Sequence, residues 1–279
     1  MIILLWIYKI WEMFFMIKPL KIVTFNLRCA WSEDGANSFV HRAGLIWEKM
    51  RAEAPDVVAF QEVMPKSLAI LKLLMPDYEF FGQGRNADFG GEGLYTAVKQ
   101  SAVSAVGFET FWIGPKPYEA ESRFEDQSIC PRICVAALLR HNATGQLFHV
   151  YNIHLDHQGS DARKQGIRCV LERIAQDRQK GSAPVVLLGD FNDTPESETI
   201  RLCASGKSVK LSDVTSKITC TFHNFGRDNS GFEKIDYIFL SEELLGNVIG
   251  ASAWEDKVNG IYLSDHYPVC AELKLTTNE

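Results

Sequence analysis

Val185-Val186-Leu187-Leu188-Gly189-Asp190-Phe191-Asn192-Asp193-Thr194-Pro195 is the stretch from which the rest of the chain can be read. An aliphatic run without polar alternation predicts a strand over 183–188 that is buried on both faces. Asp193-Thr194-Pro195 reads as a loop leading to a short helix over 196–203. If the backbone stays extended past the strand, Asp190 and Asn192 point to the same side. An acid beside an amide can orient and deprotonate a water, while the amide holds that water or an oxygen gaining charge. The competing reading is a plain Asp-Asn turn, and the choice depends on what else in the chain ends the same way.

Other strands do end so. Val57-Val58-Ala59-Phe60 leads into Gln61-Glu62, and Ser264-Asp265-His266 precedes the last apolar run, 269–275. A carboxylate at the end of a buried strand is costly unless it is paired or coordinated. A hard divalent cation wants such oxygen ligands. The strand Leu20 to Phe25 runs into Asn26, an amide able to hold a phosphate oxygen or to orient an acid. In Tyr151-Asn152-Ile153-His154-Leu155-Asp156-His157, strand alternation sends Asn152 and His154 to one face and Tyr151, Ile153 and Leu155 to the other. His154 can then donate to a phosphoryl oxygen, whereas His157, beyond the strand, reads as peripheral. Asp236 lies inside the apolar strand 235–240 and needs a partner. His266 is the natural one, because an imidazole held by a carboxylate keeps its proton. Asp265, beside it, is left to approach a metal or a metal-bound water. Acids, amides and imidazoles delivered by several strand ends point to one site that binds a divalent metal and activates water against a phosphate ester.

Elsewhere strands alternate with helices. Val40, Ala43, Leu45, Ile46 and Met50 recur at helical spacing over 39–52, a further helix spans 66–75, and Ile167, Val170, Leu171 and Ile174 share one face of a helix over 161–180. Strands are predicted over 55–60, 93–99, 133–139 and 147–155, and the turn Asn142-Ala143-Thr144-Gly145 makes 133–155 a hairpin. Helices that follow strands suggest α/β layers, but hairpins argue against a purely parallel sheet, so a mixed-sheet core with helices outside is expected. No repeat, low-complexity tract or Pro/Ser-rich linker interrupts it, and one domain over 18–279 is expected. A chain of 279 residues with 46% hydrophobic residues has material for a sizeable core. The net charge of −6 lacks the basic footprint of a protein that grips long nucleic acid and tilts the reading towards a small or single-stranded substrate. The seven cysteines, an odd number with no C-x-x-C pair, read as buried thiols of a reducing compartment, hence a cytoplasmic location.

Residues 1–17, MIILLWIYKIWEMFFMI, are an apolar extension interrupted by Lys9 and Glu12. The run is short and interrupted for a spanning helix, and it lacks the basic start and small-residue cleavage site of a secretory signal. Two readings remain: residues translated upstream of a true start at Met16, or a short membrane-associating helix, which would be the chain's one membrane contact.

TFN (Asn26), FQEV (Glu62), NIHLDH (His154), GDFND (Asp190, Asn192), IDYIF (Asp236) and SDHYPV (Asp265, His266) follow one another in this order. In these motifs, and over nearly all of Leu20 to Leu275, the chain resembles the endonuclease/exonuclease/phosphatase superfamily, the DNase I-like metal-dependent phosphoesterases. The resemblance implies a four-layer α/β/β/α sandwich of two mixed sheets. It implies Mg2+ or Mn2+ held chiefly by Glu62, with Asn26 and Asp265 nearby. It implies Asp190 as base or orienter of the attacking water, assisted by Asn192. His266, paired with Asp236, would stabilise the pentacovalent transition state, with His154 helping.

Gly84-Arg85, followed by Gly91-Glu92-Gly93-Leu94-Tyr95, and Pro131-Arg132 before a strand look like the deadenylase-like branch and its small bacterial relatives. Arg85 and Arg132 are candidates for a substrate phosphate, since a guanidinium pairs with phosphate in bidentate geometry, and Glu92 is a candidate support for the metal site. Two departures narrow the branch. The PAWCDR-type segment of inositol polyphosphate phosphatases is absent, and Asn26-Leu27-Arg28 lacks the acid that abasic-site endonucleases place two residues after the Asn. The expected substrate is a nucleotide, an RNA end or a small phosphorylated metabolite. Trp31, Phe89 and Phe225, near the expected mouth, could stack a base, although exposed loop aromatics often cap the core instead. A membrane-attached, sphingomyelinase-like lipid phosphodiesterase and a non-catalytic phosphate-ligand binder are the rivals. A monomer without a protein partner is expected.

Overall fold

Each long apolar run becomes a strand in the middle of a sheet, and the amphipathic segments become helices laid on the outer faces. The computed structural model describes residues 18–30, 33–206, 209–227 and 232–276, so the apolar extension 1–17 and Trp31 lie outside the described residues. Strand β1 (Leu20–Asn26) leads to helix α1 (Phe39–Glu53), β2 (Val57–Val63), α2 (Pro65–Leu74), β3 (Tyr78–Gly84), β4 (Gly93–Lys99) and β5 (Val103–Trp112). The hairpin of β6 (Ile133–His141) and β7 (Leu147–His154) comes next, then α3 (Ser160–Lys180), β8 (Val185–Asp190), α4 (Glu198–Ser205) and β9 (Leu211–Asp213). The chain closes with β10 (Asp236–Ser241), α5 (Glu242–Leu245), β11 (Val248–Ala253), the two-residue strands β12 (Lys257–Val258) and β13 (Ile261–Tyr262), and β14 (Val269–Leu273).

Two six-stranded sheets result, in the orders β11-β14-β1-β2-β4-β3 and β5-β6-β7-β8-β10-β9. Both are mixed. Each has one parallel pair near its centre, β1 with β2 and β7 with β8, flanked by antiparallel neighbours. The sheets face each other across an apolar layer that includes Ile22, Val57, Ala59, Val135, Val150, Val186, Leu188 and Ile238. Phe39, Ile46 and Met50 of α1 and Leu71 of α2 pack on the outer face of the first sheet, against Val23, Phe25, Val58 and Phe60. Ile167, Val170 and Ile174 of α3 and Ile200 of α4 cover the second, against Tyr151, Ile153, Val185 and Leu187. This is the expected α/β/β/α sandwich.

The strands that the sequence leaves unmarked are β3, β5, β9 and β11 to β13. β3, β5, β9 and β11 are sheet edges and β12 pairs only with β13, so a full apolar face is not required of them. β5 is half exposed and carries a register shift between Ala105 and Gly107, which breaks its alternation. β2 runs to Val63 rather than ending at Phe60, because a bulge between Phe60 and Val63 lets it carry Gln61 and Glu62 within the sheet. None of the seven cysteines forms a disulfide. Among the described residues no helix is long and apolar enough to cross a membrane.

A fully buried amide pair helps to bridge the sheets. The Gln61 amide donates to Asn152 Oδ1 at 2.9 Å, and Asn152 Nδ2 donates to the Phe60 carbonyl at 3.2 Å. Both side chains are fully buried. The Tyr151/Asn152 alternation therefore falls as the sequence indicates, with Tyr151 and Ile153 facing α3 and Asn152 facing the other sheet. Removing one partner strands a buried amide, at a cost of about 1–3 kcal/mol. Asn152→Ala should lower unfolding free energy by about 2 kcal/mol in a denaturant titration, and the double replacement Gln61→Leu/Asn152→Leu should be less destabilised than the two single losses sum to.

Candidate active site

His154, Asp190 and Asp236 lie in one row across three adjacent strands, because the register pairs His154 of β7 with Asp190 of β8 and Asp190 with Asp236 of β10. Gly189 makes the row possible. Its φ is +145°, and a Cβ there would come within 1.9 Å of the Ile153 carbonyl oxygen. The facing sheet brings Asn26 at the end of β1, opposite Gln61 of β2, with Glu62 next along. The loop into β14 adds Asp265 and His266. All of these except the buried Asn26 and Asp236 line one cavity of about 460 Å3, together with Arg28, Arg85, Glu92, Cys130, Arg132, His157 and Asn192.

Asp190 is the hub. Its Oδ2 accepts a hydrogen bond from Asn26 Nδ2 at 3.0 Å, with His154 Nε2 at 3.5 Å and His266 Nε2 at 3.9 Å. His266 Nδ1 is 2.8 Å from Asp236 Oδ2, so the two form the expected pair. The backbone of Asp236 is fixed in turn, its N–H donating to Thr221 Oγ1. Asn26 Nδ2 also donates to Glu62 Oε1 at 3.1 Å, and its Oδ1 accepts the Arg28 N–H. In this arrangement the Asn26 amide nitrogen, rather than its oxygen, faces the acids. Glu62 Oε2 accepts the Cys29 N–H at 2.7 Å, and Glu62 itself has φ +56°. Left-handed backbone is uncommon outside glycine, and Arg28 (+59°), Glu62 (+56°) and Asn192 (+50°) all adopt it around this one cavity.

The turn at Asn192 changes the expected geometry. The backbone does not stay extended after Asp190. The Asn192 N–H turns back to Asp190 Oδ1, and its side-chain amide donates to the Leu155 carbonyl at 3.0 Å. Asn192 still borders the cavity, as a brace between two strand ends rather than as an extended neighbour of the acid. Arg85 and Arg132 both reach the cavity wall. Arg85 Nη1 pairs with Glu92 Oε1 at 2.7 Å, and its Nη2 meets Cys130 Sγ at 3.3 Å. Arg132 Nη2 is 2.8 Å from His157 Nδ1, so His157 belongs to the wall and is not peripheral. Phe225 is buried, with the guanidiniums of Arg42 and Arg227 over its ring, and does not reach the mouth as expected. Phe89 is exposed beside Trp112. Arg28, Cys130, His157, Phe222, Glu233 and Ile235 are the wall residues that sequence reasoning passed over. Only Arg28 carried a signal, as the residue standing where an acid was looked for.

Electrostatics separate the two imidazoles. Burial would lower His266, but the carboxylates of Asp236, Asp190 and Asp265 together outweigh it and raise His266 to about 10. His154 is held well below its ordinary range by burial and then by Arg132 and Arg85. Its Nδ1 is buried without a hydrogen-bond partner. Asp190 is pushed up to about 7 by burial and by Asp236, against the pull of His266. Burial and Glu62 also raise Asp265, while His266 and Arg28 oppose the shift.

Two donor sets could take a cation. Asp190, Asp236 and His266 offer ligand atoms within 4.8 Å of one another, and there His266 Nδ1 is already hydrogen-bonded to Asp236 Oδ2. Glu62 and Asp265 repel one another across the cavity, and a cation would relieve that repulsion with the hard oxygen ligands that Mg2+ and Mn2+ take.

The model of the "Endonuclease/Exonuclease/phosphatase family" matches residues 23–266. No curated protein matches the chain. Among solved structures, an endonuclease/exonuclease/phosphatase from Bacteroides vulgatus is 27% identical, with TM-score 0.84 over 93% of this chain and 100% of that one. The mannosyl-6-phosphatase Bt3783 of Bacteroides thetaiotaomicron is 26% identical, with TM-score 0.80 over 91% and 99%. The human Nocturnin catalytic domain, at 20% identity and TM-score 0.72 over 93% and 94%, shares the fold.

In metal-free protein, histidine NMR should find His266 still protonated at neutral pH and losing its proton only on the alkaline side, with His154 neutral throughout. Asp236→Asn removes the charge that holds the His266 proton, so the His266 titration should move to lower pH by more than one unit; an unmoved curve would mean another group sets it.

Proposed function

The chain belongs to the endonuclease/exonuclease/phosphatase family, and on that premise we propose that it is a divalent-metal-dependent phosphoesterase acting on a small phosphorylated metabolite, a nucleotide or an RNA end. The observation that carries this reading is the setting of Asp190. One carboxylate, buried and pushed up to about 7, sits between a neutral imidazole, an imidazolium and an amide on the floor of a cavity. A base with a pKa near the working pH is what proton abstraction from water needs. The cavity, about 460 Å3, suits a small ligand rather than a duplex.

Glu62 and Asp265 would hold Mg2+ or Mn2+, with Asn26 bracing Glu62 against Asp190. When bound, the cation supplies Lewis-acid polarisation of a phosphoryl oxygen. The chain's own groups do the rest. Asp190 takes a proton from the attacking water as its oxygen forms a bond to phosphorus. The bond to the ester oxygen breaks in line, and that oxygen leaves with its electron pair and gains a proton from solvent. His266, kept charged by Asp236, donates to the equatorial oxygens as they gain charge. His154 adds a neutral donor from the other side. Arg85 and Arg132 hold a phosphate oxygen of the substrate, and Asn192 keeps the end of β8 in place. The likeness to a mannosyl-6-phosphatase at 26% identity supports a small phosphorylated substrate.

The test is a hydrolysis panel of p-nitrophenyl phosphate, bis-p-nitrophenyl phosphate, sugar phosphates and oligo(A) with Mg2+, Mn2+ or EDTA. EDTA should abolish turnover. Asp190→Asn and Glu62→Gln should each lower kcat by at least about 1000-fold, and His266→Gln by about 100-fold or more. Turnover unaffected by EDTA, or equal in wild type and Asp190→Asn, would overturn the reading.

A further inference from the structure

Arg28 reaches the cavity from the turn after β1, and none of the steps above uses it. The residue is anchored as a built feature. Its backbone takes φ +59°, and its N–H is tied to Asn26 Oδ1 at 2.9 Å. Its Nε donates to Asp34 Oδ2 at 3.2 Å, and Nη1 lies 3.5 Å from Asp265 Oδ2. Asp34 is buried and is gripped from the far side by Arg227 Nη2 at 3.0 Å. One carboxylate therefore sets the plane of the Arg28 guanidinium, while its side chain remains 32% exposed at the cavity.

We propose that Arg28 is a phosphate-binding residue that makes the site selective for phosphate monoesters. The proposal rests on the phosphoesterase reading. A guanidinium at the cavity wall brings a fixed positive charge and N–H donors that match phosphate oxygens. The charge stands beside Asp265, one of the two acids that would flank the metal. A diester presents one negative charge on two non-bridging oxygens, which the metal and His266 can share. A monoester presents a third oxygen and, at neutral pH, a second charge. Arg28, held beside Asp265, offers that oxygen a charged donor from a different side than Arg85 and Arg132. A purely structural Arg28 would instead serve only to neutralise Asp34 and Asp265.

The test compares wild type, Arg28→Met and Arg28→Lys on p-nitrophenyl phosphate and bis-p-nitrophenyl phosphate with Mn2+, and titrates each protein calorimetrically with inorganic phosphate, in EDTA and with Mn2+. Wild type should favour the monoester. Arg28→Met should lower kcat/KM about 100-fold on the monoester and less than about threefold on the diester, the size expected for a charged hydrogen bond lost. Its phosphate Kd should rise about tenfold in both buffers, with Arg28→Lys in between. Equal losses on both esters with unchanged phosphate Kd would overturn the proposal and leave Arg28 a structural ion pair. If wild type turns over neither ester, the phosphoesterase reading fails separately, and the phosphate titration alone decides: a tenfold weaker Kd sustains the role in phosphate binding, and an unchanged Kd overturns it. Thermal unfolding of each variant checks the fold. If Arg28→Met does not fold, Arg28→Lys, which keeps the charge and loses the fork, carries the comparison.

Discussion

The Gln61–Asn152 contact is the constraint on which the site depends. Between the two sheets lies an apolar layer, and an amide buried there must find polar partners or remain unsatisfied. Gln61 meets Asn152 and also accepts from Thr24 Oγ1, while Asn152 reaches the carbonyls of Phe60 and Tyr95. Four strands are tied by one buried group of side chains. Sliding either sheet by a residue would turn these amides out of the seam and reverse every face. Glu62 lies one residue beyond Gln61, and His154 two beyond Asn152. The network that locks the register therefore also sets the distance between the acid of one sheet and the imidazole of the other.

Strand direction does the remaining placement. Parallel neighbours finish at the same edge, so β1 and β2 deliver Asn26 and Glu62 together, and β7 and β8 deliver His154 and Asp190 together. The antiparallel neighbours of these pairs begin at that edge. β10 starts on Asp236, and the loop before β14 holds Asp265 and His266. This explains a pattern in the sequence that is otherwise arbitrary. Four of the site groups close their apolar runs and three open theirs, and a mixed sheet gathers both kinds at one edge, which an all-parallel sheet would not.

The layers and most of the site were legible for the same reason: buried central strands must be apolar, and a polar group at the end of one is conspicuous. The edges were not legible, because β3, β5 and β11 bury too little to be forced into a pattern. Other readings failed where the backbone leaves regular geometry. Alternation puts Asn192 beside Asp190, but the left-handed turn at Asn192 sends its amide to Leu155 instead. Phe225 looked like an exposed loop aromatic, yet it is buried, with the guanidinium of Arg42 from α1 and that of the neighbouring Arg227 over its ring. The importance of His157 comes from Arg132, twenty-five positions earlier in the chain, a distance that no local pattern spans.

Two histidines stand on either side of Asp190, and the chain leaves one neutral and the other positively charged. Residue type does not decide this. His266 is ringed by Asp236, Asp190 and Asp265, and His154 by Arg132 and Arg85. Were both protonated, Asp190 would be held ionised too strongly to accept a proton. Were both neutral, little would offset the repulsion from Asp236. One of each leaves Asp190 near neutrality and makes the cavity asymmetric, with an imidazolium on the Asp236 side and guanidiniums on the opposite wall. On the proposed phosphoesterase reading, a phosphate entering between them would meet positive charge from two directions and Asp190 as the base, and the walls would set the direction of attack before any bond is made.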